Sequence, residues 1–118
     1  MSEVAVLMRK APYGTVYTAE GFRTLMGIAV FEMEISVVFV DDGVYALVAG
    51  QAPGKLDMKP LGDAFPMLSE FGVTDFYVHD ESLQERGLTA DDLVMDVTIV
   101  DSAQVAHILE SAGKVLPF

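Results

Sequence analysis

Ile35-Ser36-Val37-Val38-Phe39-Val40-Asp41-Asp42-Gly43 is the stretch on which the fold turns. Its first six residues are nearly all apolar and mostly β-branched, with no polar face. A run of that kind is a strand buried on both faces, as in a parallel sheet covered by helices. It stops abruptly at Asp41-Asp42-Gly43. There Asp42 is placed to cap a short helix carrying Val44, Leu47 and Val48, with Gly50 as its stop.

Upstream, Val4-Ala5-Val6-Leu7-Met8 is a second run of the same character. Arg9 to Gly14 supply a loop with a Pro-Tyr-Gly turn. From about Val16 to Val30 the pattern becomes helical, with Phe22, Leu25, Met26 and Ala29 on one face. Downstream, Gln51 to Lys59 reads as a surface loop. A helix is expected from Asp63 to Gly72, with Pro66 in its first turn, where proline is tolerated. Thr74 to His79 forms a third strand and Val97 to Val100 a fourth. Between them lie a short helix from Glu81 to Arg86, closed by Gly87, and a turn capped by Thr89. Asp101-Ser102 open a last helix whose apolar stripe is Val105, Ile108, Leu109 and Ala112. Lys114 to Phe118 is a final strand, in which Pro117 suits an edge. Strands alternate with helices. The expected architecture is a three-layer α/β/α domain over residues 1–118, with a mostly parallel sheet of about five strands.

The chain has 118 residues, a size normal for one domain, and about half of them are hydrophobic. No apolar run approaches the roughly 20 residues of a membrane-spanning helix. Met1-Ser2-Glu3 lacks the basic region of a signal peptide, so a cytoplasmic location is expected. Eighteen acidic and seven basic residues give a formal charge of -11. That excess repels nucleic-acid phosphates and anionic membranes, so direct binding to either is not expected. Cysteine is absent altogether. Disulfides, thiolate metal sites, cysteine nucleophiles and persulfide carriers are thereby excluded for this chain.

Ligands of open parallel sheets meet the loops at the carboxyl ends of the strands. Those loops carry Arg9, Lys10, Tyr13 and Gly14, then Asp41 and Asp42, then His79, Asp80 and Glu81, then Asp101 and Ser102. The first loop could offer amides and two cations to an anion, but it also reads as a plain strand-to-helix turn. No GxGxxG or GxxxxGK[ST] is present, so no nucleotide cofactor is expected. Asp41-Asp42 could hold a hard cation, yet capping and dipole complementarity at the next helix account for the pair. His79 beside Asp80 and Glu81 could serve in acid-base chemistry, or simply hydrogen-bond at a strand end. His107 falls on the polar face of the last helix with Gln104 and Ser111. With two histidines and no cysteine, no metal site is expected. The serines lack a GxSxG elbow.

The chain resembles the DsrE/DsrF-like family, in particular its DsrF and TusC-type subunits. The resemblance is carried by Ala11-Pro12-Tyr13-Gly14-Thr15 with Glu20-Gly21. It continues through Val38-Phe39-Val40-Asp41-Asp42-Gly43-Val44, Leu47 and Gly50-Gln51-Ala52-Pro53. It ends with Glu81-Ser82-Leu83-Gln84-Glu85-Arg86-Gly87-Leu88 and Val115-Leu116-Pro117-Phe118. Their order and spacing run over nearly the whole chain. The resemblance implies a heterohexameric assembly with DsrE/TusD-like and DsrH/TusB-like subunits, passing sulfur as a cysteine persulfide. The sulfur goes toward tRNA 2-thiouridine in TusC-type systems and belongs to sulfur oxidation in DsrF-type systems.

In sulfur-carrying members a cysteine follows the third strand, shortly before an Arg-Gly pair. Alignment on Arg86-Gly87 puts His79 or Asp80 there, with His79 the preferred match. An imidazole cannot form a persulfide. The expectation is therefore a non-carrier interaction subunit, with Tyr13, Gly14, Asp41, Asp42, His79, Asp80, Glu81 and Arg86 as interface or binding candidates. The alternative is a homo-oligomer that uses the His79 edge for a small anion or for acid-base work.

Overall fold

Apolar runs at the predicted places become the strands of one sheet. In the computed structural model these are β1 (Val4–Met8), β2 (Ile35–Phe39), β3 (Asp75–His79), β4 (Thr98–Val100) and β5 (Lys114–Pro117). The structure describes residues 3–10, 17–29, 33–48, 68, 70, 72–73, 75–93 and 95–118. The strand order is β4-β3-β2-β1-β5, and every pairing is parallel. Register places Val37 opposite both Val6 and Phe76, and Val78 opposite Ile99. All five residues of β2 are buried, as expected of the central strand.

Helix α1 (Tyr17–Ala29) packs Leu25 and Ala29 into the core, with Phe22 and Met26 half-buried beside them. That is the stripe its periodicity predicts. The core lies on the α1 side of the sheet, where Val4, Val6, Met8, Ile35, Val37, Phe39, Phe76 and Val78 come together. Strands β1 to β4 advance in one direction, whereas the step from β4 to β5 runs back across the sheet. A right-handed crossover that reverses direction must cross on the other face. Helix α3 (Ser102–Ser111) accordingly lies over Tyr77, Thr98 and Val100, which point away from the α1 core. Val105, Ile108 and Leu109 of its predicted stripe are only half-buried there.

After β2 the short helix expected is a 3-10 segment, Asp41–Leu47. Gly43 permits it: a Cβ at this position would lie 2.0 Å from the Met8 carbonyl oxygen. The expected capping by Asp42 does not occur. Val40 occupies the cap position and its side chain makes no capping hydrogen bond. Helix α2 (Asp80–Glu85) ends at Gly87, whose positive φ of 66° suits a glycine stop. A 3-10 turn at Ala90–Asp92 follows, with the Asp92 carboxylate accepting the Thr89 amide at 2.8 Å. The loop from Gln51 to Lys59, and the expected helix from Asp63 up to Gly72, fall almost wholly outside the described residues. No helix among those described is long and apolar enough to cross a membrane.

Candidate functional site

Parallel strands send their carboxyl ends to the same side of the domain. The ends of β2, β3 and β4 thus bring Asp41 and Asp42, His79 to Glu81, and Asp101 with Ser102 to one edge. Two side chains on α2 and its end tie that edge together. Ser82 is buried, and its Oγ accepts the Asp41 amide at 2.9 Å. Arg86, just after α2, donates from Nε and Nη2 to Asp42 Oδ1 at 3.1 and 2.9 Å. Its Nη1 donates to the Ser82 carbonyl at 3.1 Å.

Asp42 is therefore an ion-pair partner, not a helix cap. The physical reason is competition: a guanidinium presenting two donors outbids the single weak amide bond that a short 3-10 segment offers. Burial works against the charge on Arg86, but its hydrogen bond to Asp42 and the nearby Asp42 charge outweigh it. Smaller contributions come from Tyr45 and Asp41, and the net pKa lies above the ordinary arginine value. Asp41 adopts a left-handed conformation, φ 50°, uncommon outside glycine but tolerated by aspartate.

His79 ends β3 with both ring nitrogens engaged. Nδ1 lies 2.7 Å from Ser82 Oγ, and Nε2 lies 2.7 Å from Ser102 Oγ. The chain of bonds runs from the Asp41 amide through Ser82 and His79 to Ser102, joining the ends of β2, β3 and β4. Asp80 Oδ1 lies 4.0 Å from Nε2 and also accepts the Glu81 amide. Glu81 itself is exposed on the first turn of α2.

Of the candidates read from sequence, Asp41, Asp42, His79, Asp80, Glu81 and Arg86 share this edge. Tyr13 and Gly14 fall outside the described residues. Arg9 and Lys10 are exposed beyond β1. The sequence reading placed Ser102 in the loop after the fourth strand without a role, and gave Ser82 no place in a site. The available signal was local: Ser82 stands three residues after His79, where a first-turn hydroxyl can reach back to a strand-end ring. Among the described residues, no three His, Asp or Glu side chains converge as a metal-holding group.

His107 is exposed, as expected of the polar face, and it lines a cleft of about 390 Å3. The cleft lies between α3 and strands β3 and β4, walled by Tyr77, Thr98, Val100, Gln104 and Ile108.

Residues 2–118 match the model of the DsrE/DsrF-like family. The chain is 36% identical over 118 residues to the "Protein TusC homolog" of Vibrio vulnificus, covering 100% of each. It is 37% identical over 136 residues to the "Intracellular sulfur oxidation protein DsrF" of Allochromatium vinosum, again covering 100% of each. The fold is similar to that of the ychN protein from E. coli, with a TM-score of 0.85 over 100% of both chains. At 23% identity, that likeness speaks to fold alone.

Proposed function

This chain belongs to the DsrE/DsrF-like family, and from that premise we propose that it is a cysteine-free interaction subunit of an intracellular sulfur-relay complex. It is a subunit of such a complex in tRNA thiolation or in sulfur oxidation, the two settings that its TusC and DsrF relatives indicate. One observation carries the division of labour: a chain related to those proteins along its whole length contains no cysteine.

Persulfide transfer needs a thiolate to attack the outer sulfur of a donor persulfide. A sulfur–sulfur bond forms at the acceptor as the donor's breaks. Here the end of β3, where the resemblance places the carrier cysteine, holds His79 instead. The reactive thiol therefore belongs to another subunit, and DsrE/TusD-like and DsrH/TusB-like chains are the partners proposed. The formal charge of -11 also argues that any tRNA is reached through other components.

The Asp41–Ser82 and Asp42–Arg86 ties support the reading of this edge as a docking surface. They hold the ends of β2 and β3 in one fixed shape, so little order has to be gained on binding. The test is co-expression with the DsrE-like and DsrH-like proteins of the same cell, followed by affinity purification and size-exclusion chromatography with light scattering. A stable complex of all three is expected; separate elution of this chain refutes the assignment.

A further inference from the structure

We propose that Ser102 is a nucleophile with His79 as its base, giving the edge a capacity for acyl transfer from small neutral esters. Three observations meet here. Ser102 is exposed, and its Oγ lies 2.7 Å from His79 Nε2, within reach for direct proton transfer. The other ring nitrogen lies 2.7 Å from Ser82 Oγ, so a third group orients the base. Ser82 is itself held, because it is buried and receives the Asp41 amide.

A serine oxygen has two acceptor sites and one proton to donate. With the Asp41 amide on one site, the second can take a proton from Nδ1. That arrangement leaves Nε2 unprotonated and facing Ser102. It is the tautomer in which His79 can remove the Ser102 proton. Asp80 Oδ1, 4.0 Å from Nε2, places a carboxylate beside the ring on which that proton lands.

In the step itself, Ser102 Oγ bonds to the acyl carbon while its proton passes to Nε2. The bond from that carbon to the leaving oxygen breaks, and the proton moves from Nε2 to the departing alkoxide. Water then attacks acyl-Ser102 by the same route, returning the serine and releasing a carboxylic acid. The developing negative oxygen can be met by the Ser102 and Ala103 amides, which have no acceptor within the helix because they open it. Asp80 and Glu81 follow His79 in the chain and Asp101 precedes Ser102, so neutral acyl donors are favoured over anionic ones.

This capacity is independent of the relay assignment and is tested on the isolated full-length chain. The probe is phenylmethanesulfonyl fluoride, a neutral reagent that sulfonylates activated serines with loss of fluoride, followed by peptide mass spectrometry. The adduct is expected on Ser102 and not on Ser111, which lies on the same helix without a histidine bonded to it. His79→Gln is expected to slow labelling by roughly 100-fold or more, the range of general-base contributions. Nitrogen-15 NMR of the unmodified chain is expected to show the Nδ1-protonated tautomer at His79, a readout that needs no variant to fold. Absence of the Ser102 adduct, equal labelling of Ser111, an unchanged rate in His79→Gln, or the Nε2-protonated tautomer overturns the proposal. None of these results bears on assembly with other subunits.

Discussion

Arg86 and Asp42 stand 44 positions apart in sequence, yet two guanidinium nitrogens converge on a single carboxylate oxygen at 2.9 and 3.1 Å. The arginine side chain is mostly buried, whereas the aspartate is 59% exposed, so solvent screens part of the attraction. A third donor of the same guanidinium holds the Ser82 carbonyl. The pair fastens the end of α2 to the segment after β2.

Arg86→Ala is expected to destabilise the fold by about 1–2 kcal/mol in urea denaturation. Asp42→Asn should cost less, because the amide oxygen still accepts one bond. The raised arginine pKa has a defined consequence for pH. Its contribution is fully present below the unfolded value and disappears only as pH rises through the higher folded value. Between neutral and moderately alkaline pH, the difference in stability between wild type and Arg86→Ala should therefore stay constant.

Ser82→Ala removes the hydroxyl on which the Asp41 amide and the His79 ring both depend. A loss of about 1–3 kcal/mol is expected, because a buried partner is withdrawn and not replaced. Hydrogen exchange should accelerate at the Asp41 amide well beyond the global change. Equal acceleration across the whole sheet would contradict the local role assigned to this serine.

Gly43→Ala tests the close approach of the 3-10 segment to β1. The new Cβ would sit 2.0 Å from a backbone oxygen, which cannot yield as a side chain could. A loss of at least about 3 kcal/mol is expected, measurable as a lowered midpoint of denaturation.

Asp101→Ala should cost about 1 kcal/mol through the N-terminus of α3. The Asp101 carboxylate accepts the Gln104 amide at 2.8 Å, while Gln104 Oε1 accepts the Asp101 amide at 2.9 Å. Gln104→Ala should lose part of the same energy, and the double variant less than the sum of the two.

The sheet was legible because its central strands are apolar on both faces. Val4–Met8 and Ile35–Phe39 announce themselves without help from distant residues. The Asp101–Gln104 box was legible at its opening residue for the same reason: both partners lie within one turn. The ties of Ser82 to Asp41 and of Asp42 to Arg86 were not. Their partners stand 41 and 44 positions away, and only the parallel stacking of β2 against β3 brings those positions together. Read locally, Asp42 is a helix cap and Ser82 a helix serine, and nothing in the intervening sequence contradicts that. His79 was singled out by its place at a strand end, but the hydroxyls on either side of its ring depend on where α2 and α3 begin.

The central claim is that this chain belongs to a relay whose sulfur it does not itself carry. The most direct measurement is intact-mass spectrometry of the complex reconstituted with the proposed DsrE-like and DsrH-like partners, after loading from a persulfide donor. A gain of one sulfur atom on a cysteine of a partner subunit is expected, with none on this chain and weaker loading when this chain is left out. Loading that proceeds equally well without this chain, or the absence of any complex containing it, would contradict the account.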